Sequence, residues 1–477
     1  MDRTCGMLEI EAERLSSDGR AVGRTPEGIA VFIRGALPGQ RVLARADRRK
    51  RNFIEAEAVR VVRPASGERT PACPHAGGCG GCPWQCLPYG EQLRWKWSIV
   101  LDALNRIGHL GLPSQAVPEP LFARDGTAPA EWRFRNKMEF CFAEEEGRTL
   151  LGLRARASRR VFDVRQCLLM PPRAMDVLEE LRRLCAAQGL RAAPDQPSAA
   201  SAGGRLSVLR FAVVRMPRAG GCLLELITLP APHLADAFRT IGQALLSSPC
   251  GITGFVHSVR ASRSALASGE KTMFTLGRPG LEEVLHIGGR PLTFRLGHAS
   301  FFQVNTAAAE ILYGTAERMA GEMFRGKEPW GRSCWDIYCG VGGLALTFAP
   351  HFKRIFGMEI SRQAAGLATD NAALNGLPAG TCRFAAGDAS TLERSFAGQG
   401  MPDLLVTDPP RAGMDPQTTA SILRHRPPHL LLVSCDPATL ARDLALLSPA
   451  YALRAIQPVD LFPQTPHVET VCALERR

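Results

Sequence analysis

The side chains that could carry chemistry lie near the carboxyl end of the chain, each beside an apolar run. Cys435 follows the run at residues 430–433, and Asp408 ends another such run and precedes two prolines. Such runs are typical of the buried strands of a parallel sheet. Because open α/β sheets bind ligands at the carboxyl ends of their strands, we expect a nucleophile at Cys435, a rigid ledge at residues 408–410 and a base at Glu469.

A cysteine beside a base suits modification of the uracil carbon C5. That carbon is a poor nucleophile until a thiolate adds to C6, after which C5 can attack a sulfonium methyl group, and Cys435 would supply this covalent catalysis. The proton on C5 must then leave, and Glu469 is the candidate base. Two alternatives stay open. The ledge at Asp408 alone suits N-methylation of an exocyclic amine, and a buried cysteine is more often inert, as we expect for Cys334, Cys339 and Cys382.

A glycine-rich loop upstream predicts a nucleotide-type cofactor. Gly340 and Gly343 follow a predicted strand, where glycines let the backbone approach a ligand closely. Glu359 ends the next strand, about 20 residues on, from where a carboxylate can hold ribose hydroxyls. Asp388 follows a third predicted strand and is suited to contact adenine. The pattern admits a dinucleotide or S-adenosylmethionine, and the ledge at Asp408 together with a nucleophilic cysteine favours S-adenosylmethionine.

A cysteine cluster near the amino end predicts a metal centre. Cys73, Cys79 and Cys82 lie in one glycine-rich loop, whose backbone can curl so that the three sulfurs converge. Three ligands are one short of a closed set, so we expect a fourth from nearby Cys86 or from the more distant Cys167. The spacing does not separate an iron–sulfur centre from a zinc site.

The elements that must position these residues fall into three predicted domains. Residues 1–64 alternate apolar and polar positions between turn signals, which predicts a small β-barrel. Residues 65–295 have an α+β pattern, with helices predicted at about 92–107 and 173–188, a strand at 134–142 and a flexible insertion near 192–204. From residue 296 to residue 477 strands alternate with helices, which predicts a doubly wound, Rossmann-like α/β domain.

Composition and charge favour a soluble enzyme with a polyanionic partner. The 477 residues include 58 basic and 46 acidic ones, a formal net charge of +12, which favours a polyanionic partner. Small barrels with basic loops often bind single-stranded nucleic acid. Neither a signal-peptide core nor an apolar run of membrane-spanning length is visible, so we expect a cytoplasmic protein with no membrane association and no implied protein partner. A basic run lies between two predicted barrel strands and comprises Arg41, Arg45, Arg48, Arg49, Lys50 and Arg51.

In combination these motifs resemble those of the S-adenosylmethionine-dependent RNA uracil-C5 methyltransferases, which act on ribosomal or transfer RNA. The resemblance spans nearly the whole chain. Its amino-terminal part is similar to the OB-like TRAM barrel, and its cysteine loop is similar to the family's [4Fe-4S] site. The resemblance implies Cys435 as nucleophile, Glu469 as base, and Cys73, Cys79, Cys82 and Cys167 as cluster ligands, with Cys86 left over. The cofactor residues that it implies are Gln303, Tyr338, Gly343, Glu359, Asp388 and Asp408.

A TRAM barrel joined to a cysteine cluster is more similar to the large-subunit ribosomal RNA enzymes of this family than to its typical bacterial transfer RNA enzyme, which lacks both. The resemblance therefore implies 5-methyluridine formation in 23S ribosomal RNA. We expect a single-stranded or flipped-out uridine, bound across the barrel and the catalytic domain. The alternatives are a transfer RNA uracil-C5 methyltransferase and a non-catalytic RNA-binding protein of ribosome assembly, and the presence of Cys435 and Glu469 disfavours the second.

Overall fold

The computed structural model describes residues 6–156, 158–194, 206–262, 264–325 and 328–477. The flexible insertion predicted near 192–204 lies for the most part outside these residues. Within them the chain forms three large sheets that follow one another along the sequence, and helices pack on the second and third. No helix in these ranges is both long and apolar enough to cross a membrane.

The first sheet is the predicted small β domain. Its strands are β1 (Met7–Glu11), β2 (Arg14–Leu15), β3 (Ala21–Arg24), β4 (Ala30–Arg34), β5 (Arg41–Arg49) and β6 (Phe53–Arg63). They pair in the order β1-β5-β6-β4-β3-β2. The sheet curls until the end of β1 meets β3. Gly23 makes room for that contact, since a Cβ atom there would lie 2.2 Å from the carbonyl oxygen of Glu11.

The basic run of the barrel lies in a different place from the one predicted. It was expected between two strands, but Arg41–Arg49 is β5 itself, and only Lys50 and Arg51 lie in the turn to β6. Val42 and Ala44 are fully buried, and the arginines at alternate positions point outward because successive side chains of a strand face opposite sides. Most of the basic run therefore lies on a strand, and only its last two residues lie in the turn.

The segment between the first and second sheets packs mainly on the third sheet. It contains α1 (Tyr89–Arg106), predicted around 92–107, and the short strands β7 (Leu121–Phe122), β8 (Arg124–Asp125) and β9 (Ala128–Pro129). Val100 and Leu104 of α1 are buried in a core shared with the third sheet, and β7 is the outermost strand of that sheet. The predicted bounds assigned these elements to the central domain, whereas their packing places them with the C-terminal one.

The second sheet has eight strands and two helices on one face. Its order is β12-β11-β10-β14-β15-β16-β17, with β13 beside β14. The strand predicted at 134–142 begins only at Lys137, because the preceding residues leave the sheet and bond to other loops. The elements are β10 (Lys137–Glu145), β11 (Arg148–Arg154), β12 (Val161–Asp163), α2 (Arg173–Ala187), β13 (Arg191–Ala192), β14 (Ser207–Arg215), β15 (Leu223–Thr228), α3 (Ala235–Ser247), β16 (Gly254–Val259) and β17 (Lys271–Gly277).

The third sheet is the predicted doubly wound α/β domain. It is preceded by a hairpin of β18 (Gly280–Ile287) and β19 (Arg290–Gly297) and by α4 (Thr306–Met323). Its further elements are β20 (Gly331–Ile337), α5 (Gly343–Phe348), β21 (Phe352–Glu359), α6 (Arg362–Leu374), β22 (Cys382–Ala386), α7 (Leu392–Gln399), β23 (Leu404–Thr407), α8 (Pro416–His425), β24 (His429–Ser434), α9 (Pro437–Leu447), β25 (Tyr451–Asp460) and β26 (Glu469–Arg476). The order is β22-β21-β20-β23-β24-β26-β25-β7, and the five strands from β22 to β24 are parallel.

The β18–β19 hairpin belongs by its packing to this last domain, although the predicted boundary at 295 separated most of it. Leu285 and Phe294 are fully buried in the same core as α4 and α5. Asn371 on α6 accepts a hydrogen bond through Oδ1 from the backbone N–H of Arg295, at 2.7 Å. The hairpin is therefore fixed to α6 and to the core of the C-terminal domain.

Candidate active site

One large cleft opens at the carboxyl ends of β20, β21, β23 and β24. Its volume is about 1160 Å³, above the roughly 300–1,000 Å³ usual for the pocket of one small molecule. It can therefore hold two ligands side by side. Every site residue predicted in the C-terminal domain lines it, namely Gln303, Tyr338, Gly340, Gly343, Glu359, Asp388, Asp408, Cys435 and Glu469.

The loop after β20 is bent by unusual backbone angles. Tyr338 has φ +73°, which is uncommon for a residue with a side chain, and Gly340 and Gly342 have φ +55° and +94°. A Cβ atom on Gly343 would lie 2.6 Å from the hydroxyl of Tyr313, so a larger residue there would have to displace that ring. Strained backbone of this kind persists where the surrounding structure enforces it, commonly at ligand sites.

Two carboxylates lie along the wall that continues from this loop. Glu359, at the end of β21, accepts hydrogen bonds from the backbone N–H groups of Gly340, at 3.0 Å, and Ser361, at 2.8 Å. Asp388 accepts one from the backbone N–H of Ser390, at 2.8 Å. Between them Ile360 is 72% exposed and lines the cleft. Oxygen acceptors beside an apolar surface suit a ligand that has both hydroxyl groups and a flat ring.

Cys435 lies where β24 passes into α9. The carboxylate of Asp436 caps that helix by accepting hydrogen bonds from the backbone N–H groups of Ala438, at 3.0 Å, and Thr439, at 3.1 Å. Burial, followed by the negative charges of Glu469 and Asp408, raises the pKa of the Cys435 thiol to about 12. The thiol is therefore protonated at neutral pH in these surroundings.

Asp408 and Glu469 form a pair of buried carboxyl groups beside this thiol. Burial raises the pKa of Asp408 to about 7. Burial and the charge of Asp408 raise the pKa of Glu469 well above its usual range. Glu469 is only 3% exposed, and its Oε2 atom has no hydrogen-bond partner in the described part of the chain. Two carboxyl groups in one apolar site cannot both ionise easily, so the pair holds a proton near neutral pH, as acid–base chemistry requires.

Arg411 and His467 complete the reacting end of the cleft, and we did not predict either as a site residue. Nη2 of Arg411 lies 2.7 Å from Nδ1 of His467. Burial and the charge of Arg411 lower the pKa of His467 to about 4, so this imidazole is neutral. The positive charge of Arg411 also opposes the rise of the pKa of Cys435 and of Glu469. The signal was visible in the sequence, because Arg411 follows the ledge directly and His467 precedes Glu469 by two residues.

Asp336 and Tyr313 also line the cleft without having been predicted. Asp336 is 1% exposed and accepts a hydrogen bond from the backbone N–H of Ala345, at 2.8 Å. Asp336 could have been predicted as a site residue, because it lies at the end of β20. Tyr313 comes from α4, and no local pattern connects a helical tyrosine to a loop formed about thirty residues later.

The four predicted metal-site cysteines lie around one small cavity. Cys73, Cys79, Cys82 and Cys167 all line it, whereas Cys86 packs against the barrel core. Burial, followed by the nearby Cys167 and Cys79, raises the pKa of Cys82 to about 12. No group of three or more histidine, cysteine, aspartate or glutamate side chains among the described residues is arranged to hold a metal ion. The cavity thus gathers the four thiols at one place.

Residues 133–136 connect this cavity to the cleft. Nη1 of Arg133 donates a hydrogen bond to the carbonyl oxygen of Cys167, at 2.7 Å. Nδ2 of Asn136 donates to the carbonyl oxygen of Gln303, at 3.1 Å. Arg135, between them, lines the cleft. The loop that carries Cys167 and the segment that carries Gln303 are therefore held by the same four residues.

Comparison with known proteins agrees with this geometry. Residues 260–477 match the family model described as tRNA (Uracil-5-)-methyltransferase, and residues 7–59 match the TRAM domain. An RNA methyltransferase of Nitratidesulfovibrio vulgaris is 42% identical over 476 residues, which are 98% of this chain and 96% of that protein. The chain belongs to the RNA uracil-5 methyltransferase family. It is therefore an S-adenosylmethionine-dependent enzyme that acts on RNA.

Further relatives of this methyltransferase share its full length. An RNA methyltransferase of Halalkalibacterium halodurans is 32% identical and aligns with 98% of the chain, over 97% of its own length. Among solved structures, the tRNA (uracil-54, C5)-methyltransferase of Pyrococcus abyssi in complex with S-adenosyl-L-homocysteine superposes with a TM-score of 0.70. It covers 98% of this chain and 100% of that one at 22% identity, so it shows a shared fold.

Proposed function

We propose that this methyltransferase forms 5-methyluridine in RNA by covalent catalysis through Cys435. The observation that carries the proposal is that Cys435, Asp408 and Glu469 lie close enough to shift one another's pKa, in the same cleft that the glycine loop and Glu359 line. An N-methyltransferase has no use for a thiol at the reacting end. A non-catalytic RNA-binding protein has no use for a buried, partnerless Glu469.

The residues of the cleft would act in sequence on a uridine held on the ledge after Asp408. The Cys435 thiol first loses its proton to solvent. The resulting thiolate adds to C6, and the electron pair of the C5–C6 double bond moves toward C5 and O4. When bound, S-adenosylmethionine supplies the methyl group that C5 takes. Glu469 then removes the proton from C5, the C5–C6 double bond re-forms, and the C6–S bond breaks to release the thiolate. Atoms and electrons balance without a redox step.

The first test is a methylation assay of the anaerobically purified protein, with labelled methyl donor, unmodified 23S and transfer RNA transcripts, and nucleoside analysis. We propose 23S ribosomal RNA as the substrate, because the barrel and the cysteine cavity occur together here. Label in 5-methyluridine of the 23S transcript is the expected result. The structurally similar Pyrococcus abyssi enzyme acts on transfer RNA. Label found only in the transfer RNA transcript would show that the substrate is transfer RNA and not 23S ribosomal RNA. Methylated nucleosides other than 5-methyluridine would contradict the chemistry.

Replacement of the nucleophile tests the role of Cys435. Cys435→Ala should lose 5-methyluridine formation completely and keep its affinity for S-adenosylhomocysteine, because the thiol lies at the reacting end and not beside Glu359. Cys382→Ala is the matched control, since Cys382 lies on β22 and does not line the cleft. Activity retained by Cys435→Ala would overturn the covalent mechanism and leave N-methylation at the ledge as the alternative.

We infer that the cysteine cavity holds a [4Fe-4S] cluster on Cys73, Cys79, Cys82 and Cys167. A cluster of four irons takes one thiolate on each, and its ligands stand around a volume, whereas zinc needs four ligands around one point. The support for the cluster is that four thiols, the number that such a cluster takes, line one cavity. Its role would be to fix the loops that carry its ligands, because the methylation needs no electron transfer.

Metal analysis and absorption spectroscopy test the cluster independently of activity. The anaerobically purified protein should contain about four irons and four sulfides per chain. Cys82→Ser should lose them, and Cys86→Ser, outside the cavity, should retain them. Stoichiometric zinc in place of iron, or iron kept by Cys82→Ser, would contradict the assignment.

A further inference from the structure

The hairpin of β11 and β12 carries a concentration of arginines that the reaction does not use. Residues 154–162 contain Arg154, Arg156, Arg159 and Arg160 and not one carboxylate until Asp163. β12 is an edge strand of the second sheet, and Arg159 and Arg160 are exposed. We call residues 148–156 and 158–163 the arginine hairpin.

The cysteine loop holds the arginine hairpin in place through its backbone. Cys79 pairs with Ala155 as an isolated antiparallel bridge. The N–H of Gly80 donates to the carbonyl oxygen of Arg154, at 3.1 Å, and the N–H of Arg156 donates to that of Gly78, at 3.2 Å. A Cβ atom on Gly78 would lie 2.6 Å from the ring of Phe162. Only a loop with glycines at these places can approach the hairpin so closely.

The arginine hairpin lies between the barrel and the cleft. Toward the barrel, Arg156 packs against Gly35, the residue that follows β4. A Cβ atom on Gly35 would lie 3.0 Å from Nη1 of Arg156. Toward the cleft, Leu153 of the hairpin lines the cysteine cavity together with Trp132, and Arg135, three residues further on, lines the cleft. Arginines therefore lie at both ends of this series of contacts, Arg156 beside the barrel and Arg135 at the cleft.

We propose that the arginine hairpin is a second binding surface for RNA, an inference that rests on the proposed function. The hairpin would bind the phosphates that lie between the barrel and the flipped-out uridine. The planar guanidinium fork matches the oxygens of a phosphate, whereas lysine offers only a point charge. One hairpin arginine, Arg160, pairs with Glu145 at 2.7 Å, and its side chain is 72% exposed, so the pair is weak and a phosphate can replace the carboxylate. The cysteine loop would then serve RNA binding by fixing this hairpin.

The test compares two double variants of the full chain in RNA binding over a series of salt concentrations, with an unmodified 23S transcript as the probe. Arg159→Ala/Arg160→Ala removes two charges from the hairpin. Arg424→Ala/Arg454→Ala is the matched control, because it removes two exposed, ion-paired arginines from other parts of the surface. Unchanged affinity for S-adenosylhomocysteine shows that both variants are folded.

Loss of two phosphate contacts should reduce the slope of log affinity against log salt by roughly 1.4 and weaken binding roughly tenfold at low salt, whereas the control should bind like the wild type. An unchanged slope for the hairpin variant, or no RNA binding by the wild type, would overturn the proposal. Failure of the proposed reaction is recognised separately, by the absence of 5-methyluridine in the wild-type assay.

Discussion

The cleft places its nucleophile where it is hard to ionise. Burial, Glu469 and Asp408 hold the pKa of Cys435 at about 12, although the thiolate is the form that adds to a carbon. Arg411 is the cation that opposes this effect, and it opposes the rise of the pKa of Glu469 as well. His467 beside it is neutral and adds no charge. We therefore assign the activation of Cys435 to Arg411.

Arg411→Gln should lower kcat/KM for methylation by about tenfold or more near neutral pH, since each unit of pKa changes the thiolate fraction tenfold. Without the cation the pKa of Cys435 rises further. The rising limb of the pH–rate profile should then move to higher pH. Arg411→Lys, which keeps the charge, should keep most of the rate. The measurement is the initial rate of methyl transfer as a function of pH.

Arg424→Gln, on the surface at the end of α8, is the control for simple loss of a positive charge and should leave the profile unchanged. An Arg411→Gln enzyme with the wild-type pH profile would show that Arg411 does not act on the ionisation of Cys435.

The sequence was informative about those site residues that follow a strand. Glu359, Asp408 and Cys435 could be predicted because apolar runs mark the strands, and parallel strands bring their carboxyl ends together. Tyr313 could not be predicted, because its place in the cleft depends on how α4 packs over the glycine loop. Arg135 was missed for a similar reason, since its segment leaves a strand pattern to bond with two distant loops.

A buried ion pair attaches α1 to the end of β25. Nζ of Lys96 donates to Oδ1 of Asp460 at 2.5 Å, and both side chains are fully buried. The hydroxyl of Tyr89 donates to Oδ2 of Asp460 at 2.8 Å. The segment after Asp460 leads to Glu469, so this pair fixes the start of the loop that delivers the base.

Lys96→Met should lower the apparent free energy of unfolding by about 3–5 kcal/mol, because it leaves the charge of Asp460 buried without its cation. The double variant Lys96→Met/Asp460→Leu should recover most of that loss, since neither charge then remains in the core. Urea unfolding followed by circular dichroism measures both. A double variant less stable than the single one would show that the pair itself stabilises the fold.

Among the elements, α1, α2 and the alternating strands and helices of the C-terminal domain were predicted from periodicity and apolar runs. The place of the β18–β19 hairpin was not, because a two-stranded hairpin has the same local pattern whichever core it joins. The basic run was misplaced because the pattern of β5 is hidden by its arginines, whose charge indicated a loop, although Val42 and Ala44 are buried as in any strand.

At the scale of the whole molecule, the net charge of +12 and the TRAM domain suit an RNA substrate, and the active site joins parts of the chain far apart in sequence. The Cys167 loop bonds to Arg133, and Asn136 bonds to Gln303 in the cleft. The cysteine cavity therefore adjoins the catalytic site through one short segment. Sequence spacing predicted the cysteine cluster and the catalytic residues. It could not predict that residues 133–136 contact both of them.

Capture of the covalent intermediate is the most direct test of the central claim. The Glu469→Gln enzyme, incubated with S-adenosylmethionine and substrate RNA, should add Cys435 to uridine and transfer the methyl group, but it should fail to remove the C5 proton. Digestion and mass spectrometry should then find a methylated uridine on the peptide that contains Cys435. A peptide without this adduct, together with 5-methyluridine formation by Cys435→Ala, would contradict the mechanism.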